Sequence, residues 1–473
     1  MKHSNKLIEL LKTFSASELL AFRDFTASPY FNKREELVRL YAHLKKAAAS
    51  DFPDKKIERH LLFEAAFPGK PYDEALLHHS LSRLLKLAEQ FIALEDVLLP
   101  RLNSTLAPAQ AYYRRKLRRH FDHAMKQAKT ALEEQNLRDS EYFFVRHEMA
   151  ALEEMYFSDL NEQQLSGDSI QQASDFLDRS YLAKKLRFLC VMLDRQHFLA
   201  SPARMDMKDE VLAFLAHHDF SDTPAISVYH ALLLALTHSE ERACFEQFKA
   251  LWTNSIEHFS MYDLKSQLGL AINFCIHRIR LGDKSYAAML ADLYREGLER
   301  KILLDEGRIS PWTFKNIVKL NLGLKRYEWA ESFVREYSHS LQEDERQDAL
   351  HFNLAELYYH QGHLDEARAH LVKVEFSHWR YILGAKTLLL KIYFETRQTE
   401  ALDLLLASFG TFLQRNQRIP KDVKKPYLQF VRLLHKLSIL TASQRPTLLS
   451  KIKATPSLTE RSWLEEVAVQ RIR

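Results

Sequence analysis

Apolar residues recur at the spacing of an α-helix through most of the chain. Two runs each place their apolar side chains on one helical face: Leu76, Leu77, Leu81, Leu84, Leu85, Ala88, Phe91 and Ile92, then Phe176, Leu177, Ala183, Leu186, Leu189, Cys190 and Leu193. Short segments containing proline, glycine and polar residues separate such runs. Because each apolar face must be buried against another helix, the pattern predicts an all-α protein.

The first hundred residues carry clear helix-start signals. Ser15 with Glu18, and Asn32 with Glu35, have capping-box spacing, in which the first side chain accepts from a helical N–H and the carboxylate reaches back. Breakers that contain proline separate these helices from the long apolar run that follows. We therefore predict an N-terminal helical domain over residues 1–100.

Beyond residue 100 the helical pattern is at first less regular. One helix is predicted from about 108 to 137, and the polar segment 158–172 is the best candidate for a loop. Near the C-terminus, Ser457 and Glu460 have capping-box spacing and Trp463 begins a narrow apolar stripe. We predict three further blocks: irregular helical hairpins over 101–225, helical repeats over 226–416 and capping helices over 417–473.

The stretch from Leu354 to Arg368 is the most informative in the chain. A leucine, an alanine and tyrosines at helical spacing precede Gly362, and Ala367 follows it. This stretch resembles one tetratricopeptide (TPR) repeat. The resemblance implies stacked neighbours and a long interaction surface, because one such unit cannot bury its apolar face alone. The fold it implies is an α-solenoid of antiparallel helix pairs behind the N-terminal helical domain.

Projecting the alanine of this unit along the chain finds two similar frames. Ala401 lies 34 residues after Ala367, and Ala330 lies 37 residues before it, with Asn321 where an aromatic residue is usual. The resemblance therefore covers about 311–416, and more weakly the segment from 226. The N-terminal block also resembles a family of uncharacterised bacterial all-helical proteins, which implies no particular activity.

Composition agrees with this interpretation. The 473 residues include only 10 glycines, against a usual share of about 7%, so few positions suit tight β-turns or phosphate-binding loops. The three cysteines, Cys190, Cys244 and Cys275, form no paired motif and are expected to be buried thiols. No apolar stretch is long enough to span a bilayer, so we expect a cytoplasmic protein without membrane contact.

The TPR resemblance implies which side chains line the concave groove. The contacts expected for a protein or peptide partner are Trp312, Lys315, Lys319, Phe352, Asn353, Tyr359, Lys386 and Tyr393. Lys315 and Asn353 match positions of the clamp with which some TPR domains grip a terminal carboxylate, whereas Lys319, Leu383 and Thr387 depart from it. The alternative is that these side chains bury against neighbouring helices. The sequence names neither the partner nor the oligomeric state.

Basic residues are concentrated in one segment. The net charge is +5, and seven Lys and Arg residues lie between Tyr112 and Lys129 against Asp122 alone. We expect four arginines in this segment to form one helical face that could bind phosphates: Arg114, Arg115, Arg118 and Arg119. The alternative is a solvated face paired with glutamates.

A second candidate for nucleic-acid binding is a helix-turn-helix over residues 56–92. Ser82, Arg83 and Lys86 would be exposed on its longer helix. Asp73 and Glu74 weigh against it, because they would place negative charge at the phosphates. A regulator that binds nucleic acid through this module or the basic helix 112–129 is therefore the alternative function.

No catalytic, cofactor or metal motif is found. Adjacent histidines such as His78 and His79 point about 100° apart on a helix, which makes them poor chelators, and His147-Glu148 lacks a second histidine. Phosphate-binding glycine loops and nucleophile motifs are also missing from the sequence. We therefore predict a protein that is not an enzyme, needs no cofactor and acts as a protein-protein interaction scaffold.

Overall fold

The protein is almost entirely helical. The computed structural model describes residues 6–98, 105–160, 168–199, 204–374, 379–417, 419–441 and 444–470. Within these residues there are 23 α-helices: α1 (Lys6–Lys12), α2 (Ala16–Ala27), α3 (Glu35–Ala48), α4 (Arg59–Ala66), α5 (Glu74–Leu98), α6 (Ala107–Arg114), α7 (Arg118–Glu133), α8 (Ser140–Asp159), α9 (Ser169–Leu199), α10 (Lys208–His217), α11 (Pro224–Thr237), α12 (Arg242–Ser255), α13 (Met261–Arg280), α14 (Tyr286–Glu299), α15 (Pro311–Gly323), α16 (Tyr327–Tyr337), α17 (Glu343–Gln361), α18 (Leu364–Leu371), α19 (Trp379–Glu395), α20 (Thr399–Arg415), α21 (Lys421–Ile439), α22 (Arg445–Ala454) and α23 (Arg461–Gln470). The prediction of an all-α protein is confirmed.

The chain divides into two compact units. Unit 1 is Met1–Tyr181 and unit 2 is Leu182–Arg473. The boundaries predicted near residues 100, 225 and 416 are finer than this division and stay predictions.

In unit 1, helices α1 to α5 bury a common apolar core. Phe22 is fully buried in it, with its ring centroid 4.7 Å from that of Tyr41 and 5.2 Å from that of Phe91. The Tyr41 hydroxyl donates to the Leu19 carbonyl oxygen at 2.7 Å, so the buried ring keeps its polar atom satisfied. The apolar run predicted on α5 contributes Leu84 to the same core.

The two predicted caps in unit 1 have different outcomes. The capping box of α2 is confirmed, because the Glu18 amide donates to Ser15 Oγ at 3.2 Å and the Ser15 amide donates to Glu18 Oε2 at 2.7 Å. Helix α3 begins at Glu35, two residues later than a cap at Asn32 would place it, and Asn32 does not cap it. The Asn32 side chain instead donates to the Thr26 carbonyl oxygen at 2.8 Å and accepts from the Arg34 amide at 3.0 Å, closing a local turn.

The single helix predicted over 108–137 is wrong, because a break divides it into α6 and α7. Lys116 adopts a left-handed conformation with φ of 57°. Its amide donates to the Tyr113 carbonyl oxygen at 2.9 Å, and the Leu117 amide donates to that of Tyr112 at 3.0 Å. These bonds satisfy carbonyls that α6 leaves open at its C-terminus.

In the predicted loop 158–172, residues 161–167 lie outside the described residues.

Unit 2 is built from helices that pack against their chain neighbours. Close pairs include α11 with α12, α13 with α14, α15 with α16, α17 with α18, and α19 with α20. The first helices of successive pairs also meet, α15 with α17 and α17 with α19.

A small β-hairpin lies between α14 and α15, and the sequence did not indicate it. Leu304–Asp305 pairs with Arg308–Ile309, and the turn between them contains two residues of positive φ, Glu306 and Gly307.

One turn recurs between the two helices of a pair. A left-handed residue donates its amide to the carbonyl three residues earlier, and the next residue donates to the carbonyl five residues earlier. This pattern occurs at Lys325, Gly362 and Arg397, with φ of 57°, 84° and 58°, and its hydrogen bonds recur at Gly282 and at Lys116 of unit 1. Gly362 therefore closes its turn as the sequence predicted, whereas lysine or arginine takes the same conformation elsewhere.

These turns correct the predicted register of the frame at Ala401. Ala330 and Ala367 each lie five residues after the left-handed residue and are fully buried. Five residues after Arg397 comes Leu402, which is 3% exposed, whereas Ala401 is only partly buried. The position equivalent to Ala367 is therefore Leu402, one residue beyond the Ala401 that the 34-residue spacing predicted.

Candidate protein-binding surface

Trp312, Lys315 and Lys319 share one face of α15, because they are three and four residues apart. Trp312 is 63% exposed, Lys319 is exposed and Lys315 is half-buried. Lys315 Nζ lies 5.6 Å from the ring centroid of Phe352 on α17. We call these three side chains the α15 face; it borders α17, with Trp312 and Lys319 open to solvent.

Phe352 and Asn353, the next two expected contacts, are buried. Phe352 packs over Gly384 of α19, where a Cβ atom would lie 2.6 Å from the phenylalanine Cζ. The Asn353 side chain donates through Nδ2 to the Ala349 carbonyl oxygen at 2.7 Å. In this conformation neither side chain is exposed to a partner, which is the alternative that the sequence left open.

Tyr359 takes part in a hydrogen-bond network with the C-terminal helix. Its hydroxyl donates to Glu395 Oε1 at 2.5 Å, and Trp463 Nε1 of α23 donates to the same oxygen at 2.6 Å. Burial and the neighbouring Glu395 carboxylate raise the pKa of Tyr359, so its hydroxyl stays protonated and keeps donating. Glu395 thereby connects α17, α19 and α23.

Beside this network, Lys391 and Glu460 form an ion pair. Lys391 Nζ lies 2.9 Å from Glu460 Oε2 and 4.6 Å from the Tyr359 ring centroid. Lys391 as a whole is 8% exposed. Burial raises the pKa of the Glu460 carboxyl, but Lys391 and, to a lesser degree, Lys319 lower it by more, so the net shift is downward. Glu460 has φ of 51°, a left-handed conformation in which a non-glycine residue is strained. It did not form the capping box expected with Ser457.

Lys386 and Tyr393 do not join this group. Gly384, Lys391 and Glu395 recur along the side of α19 that meets α17, whereas Lys386 and Tyr393 lie about half a turn away by helical angle. Tyr393 lines a separate cleft with Arg397, Ser438 and Arg445. Burial lowers the pKa of Lys386.

Lys391, Glu395, Glu460 and Trp463 were not among the contacts expected from the sequence, where Glu460 and Trp463 had a capping role and a place in an apolar stripe. Together they seat the start of α23 on α17 and α19, next to the predicted contact Tyr359. One signal was present: Lys391 is a lone charge inside the apolar run 388–394, and a charge in such a run needs a partner. The chain's own C-terminal segment therefore covers the Tyr359 end of the expected surface.

In unit 1 the four arginines of the basic segment are all exposed: Arg114, Arg115, Arg118 and Arg119. The break at Lys116 leaves Arg114 on α6, Arg115 at the C-cap of that helix, and Arg118 and Arg119 on α7, so they do not form the single helical face that was predicted. For the helix-turn-helix alternative, Arg83 and Lys86 are exposed on α5, Ser82 is half-buried, and Asp73 accepts from the Leu76 amide at 3.0 Å at the start of that helix.

The three cysteines are poorly suited to nucleophilic chemistry. Burial raises the pKa of Cys275 to about 12 and also raises the pKa of Cys190. Cys244 was expected to be buried but is partly exposed. Its pKa is raised by burial and by the neighbouring Glu241 carboxylate. These thiols stay protonated near neutral pH. The described residues hold no cluster of three or more potential metal-ligating side chains, and none of their helices has the length and apolar character to cross a bilayer.

Comparison with known proteins finds no family model, no curated protein sequence and no solved structure that matches this chain.

Proposed function

We propose that unit 2 is a TPR-like helical-repeat scaffold that binds a peptide or protein segment and has no enzymatic role. The observation that carries the proposal is the turn repeated at Lys325, Gly362 and Arg397, together with the packing of α15 on α17 and of α17 on α19. Helix pairs that repeat in this way present an extended surface, and helical-repeat proteins use such surfaces to bind other proteins.

Within this surface the proposal assigns partner contact to the α15 face. An exposed tryptophan flanked by cations is typical of residues that dominate binding energy, since the ring offers a large apolar area and the cations select charge. Tyr359 lies at the end that the C-terminal segment covers, and Lys386 and Tyr393 lie on another side of α19. A partner therefore engages Trp312, Lys315 and Lys319 first.

The test compares charge reversals on and off the α15 face. The full chain is used to capture partners, and the affinity of each purified partner is measured for the parent, for Trp312→Ala and for Lys315→Glu with Lys319→Glu. The matched control is Lys373→Glu with Arg415→Glu, two exposed cations outside that face with the same change in charge. We expect both test variants to weaken binding by about tenfold or more and the control to keep parental affinity. Equal affinities in all four proteins would reject the assignment.

A second candidate function is nucleic-acid binding by unit 1, favoured by the exposure of all four arginines around the break between α6 and α7. Binding of labelled duplex DNA is titrated with salt for the parent, for Arg114→Glu with Arg119→Glu, and for the control Lys33→Glu with Lys46→Glu. Phosphate contacts by Arg114 and Arg119 predict weaker binding and a smaller salt slope in the first variant alone. Failure of the parent to bind at low salt rejects this function.

The proposal also places the protein in the cytoplasm. Cys190, Cys244 and Cys275 are all free thiols, which a reducing compartment maintains.

A further inference from the structure

A basic cleft lies between α20 and α21, apart from the α15 face. Its volume is about 620 Å³. The apolar part of its lining consists of Gly410, Leu428 and Val431. The polar part is cationic or amide in character and consists of Gln414, Lys421, Lys424, Lys425, Gln429 and Arg432.

The charge around this cleft is one-sided. From Gln414 to Lys436 the chain has seven Lys and Arg residues and a single carboxylate, Asp422, which does not line the cleft. None of the four cations in the lining makes an ion pair or hydrogen bond with any other described residue. The buried Gln429 Oε1 also lacks a hydrogen-bond partner among the described residues. This segment is as basic as 112–129, which the sequence analysis singled out instead.

The spacing of the cations indicates the shape of the ligand. Lys421, Lys425, Leu428 and Arg432 are separated by four, three and four residues, so they follow one face of α21. At 1.5 Å per residue this face extends about 16 Å, which is longer than a single phosphate or carboxylate can contact. Its middle is apolar. The complementary ligand is elongated and carries acidic groups on both sides of an apolar strip.

We propose that this cleft is a binding site for an acidic, amphipathic helical segment of a partner protein. The segment lays its apolar side chains on Leu428 and Val431, and its carboxylates meet Lys421, Lys425 and Arg432. Nucleic acid fits less well, because none of the described residues that line the cleft is aromatic and able to stack on a base, and the centre of the cleft is apolar.

Gly410 allows a steric test that leaves the charge unchanged. A Cβ atom at Gly410 would meet only Val431 Cγ1, at 3.9 Å, among its neighbours within 4 Å, so it points toward α21 without a clash. Leucine at this position extends further into the cleft. Because leucine is also a better helix former than glycine, we expect Gly410→Leu to block the site without unfolding α20.

The binding experiment uses the full chain and a fluorescent synthetic peptide. The peptide has about 20 residues, with leucine on one helical face and glutamate at its borders, and the comparison probe is its scrambled sequence. Anisotropy titrations are made with the parent, with Gly410→Leu, with Lys425→Glu plus Arg432→Glu, and with the control Lys436→Glu plus Lys453→Glu, two exposed lysines outside the cleft lining. Circular dichroism checks that each variant is folded.

We expect the amphipathic peptide to bind the parent and the control equally and the two cleft variants about tenfold more weakly. The reversal Lys315→Glu plus Lys319→Glu on the α15 face should leave this affinity unchanged, which separates the two sites. Equal binding of the scrambled peptide, unchanged binding by folded Gly410→Leu, complete competition by inorganic phosphate, or tighter binding of duplex DNA than of the peptide would each overturn the proposal.

Discussion

Lys391 Nζ and Glu460 Oε2 lie 2.9 Å apart, and this ion pair joins α19 to the residue that precedes the C-terminal helix. The Lys391 side chain is 10% exposed and that of Glu460 is 31% exposed, so the pair is shielded on the lysine side. The lysine also lies over the rings of Tyr359 and Trp463, with centroids at 4.6 and 5.5 Å. Attachment of α23 therefore depends on a few polar contacts as well as on apolar packing.

Replacing Lys391 with methionine should loosen α23. Methionine keeps the apolar stem but leaves the Glu460 carboxylate without its partner, which we expect to cost about 2 kcal/mol. Hydrogen exchange of the α23 amides should then accelerate by up to about thirtyfold, while exchange in α1 to α5 is unchanged. The control is Lys436→Met, a similar change at an exposed lysine of α21. Unchanged exchange in Lys391→Met would show that the ion pair contributes little.

Gly384→Ala should destabilise unit 2 although alanine favours helices. The new methyl group would lie 2.6 Å from Phe352 Cζ, and such overpacking typically costs about 1–3 kcal/mol. Gly323→Ala is the control, because no atom lies within 4 Å of its added Cβ. Of these two variants, only Gly384→Ala should have a lower midpoint of thermal denaturation. The double variant Gly384→Ala with Phe352→Leu should recover part of the lost thermal stability. A midpoint at or above the parental value would contradict the close approach of α19 to Phe352.

The recurring turn predicts opposite effects at two equivalent positions. Gly362 and Arg397 both have positive φ, at 84° and 58°. Gly362→Ala should therefore destabilise by about 1 kcal/mol, and Arg397→Gly should stabilise by up to about 1 kcal/mol, because only glycine adopts this conformation without strain. Urea denaturation of both variants measures the two signs. Shifts in the same direction would show that contacts of these side chains, rather than backbone strain, decide the outcome.

A histidine pair predicts that unit 2 loses stability in mild acid. His351 Nδ1 lies 3.1 Å from His370 Nδ1, and burial, His351, Lys373 and Arg335 lower the pKa of His370 below its ordinary 6.5. The unfolded chain then binds the proton more readily than the folded one, so stability should fall as pH drops below about 6.5. His370→Phe keeps a ring beside Tyr358 and removes the charge.

The measurement compares urea midpoints at about pH 7 and about pH 5 for the parent, for His370→Phe and for the control His435→Gln at an exposed position. We expect a smaller drop in His370→Phe than in the parent and the control. Identical drops in all three proteins would exclude the histidine pair as a cause.

Local signals in the sequence were confirmed at two places, but two of the three capping-box spacings, Asn32 with Glu35 and Ser457 with Glu460, did not form caps. The capping box of Ser15 and Glu18 and the turn at Gly362 formed as predicted, since each is decided within a few residues. The same local rules missed the break at Lys116, because lysine has no intrinsic preference for a left-handed conformation.

The expected binding surface could be predicted only in part. Trp312 and Lys319 are exposed as the TPR resemblance implied, whereas Phe352 and Asn353 are buried between helices. A helical pattern shows which residues share a face, but it does not show which helix will cover that face. The decisive neighbour of Phe352 is Gly384, which is far from it in sequence.

Apolar spacing correctly predicted that this protein is helical, and local signals correctly predicted where α2 begins and that Gly362 closes a turn between two helices. These properties follow from apolar spacing and capping, which operate over one or two helical turns. The tertiary structure was needed to show that Lys391 meets Glu460, that the start of α23 covers Tyr359, and that Lys421, Lys425 and Arg432 line a cleft with no carboxylate among its described lining residues. Such contacts join positions on separate helices, and their geometry depends on the packing of every element between them.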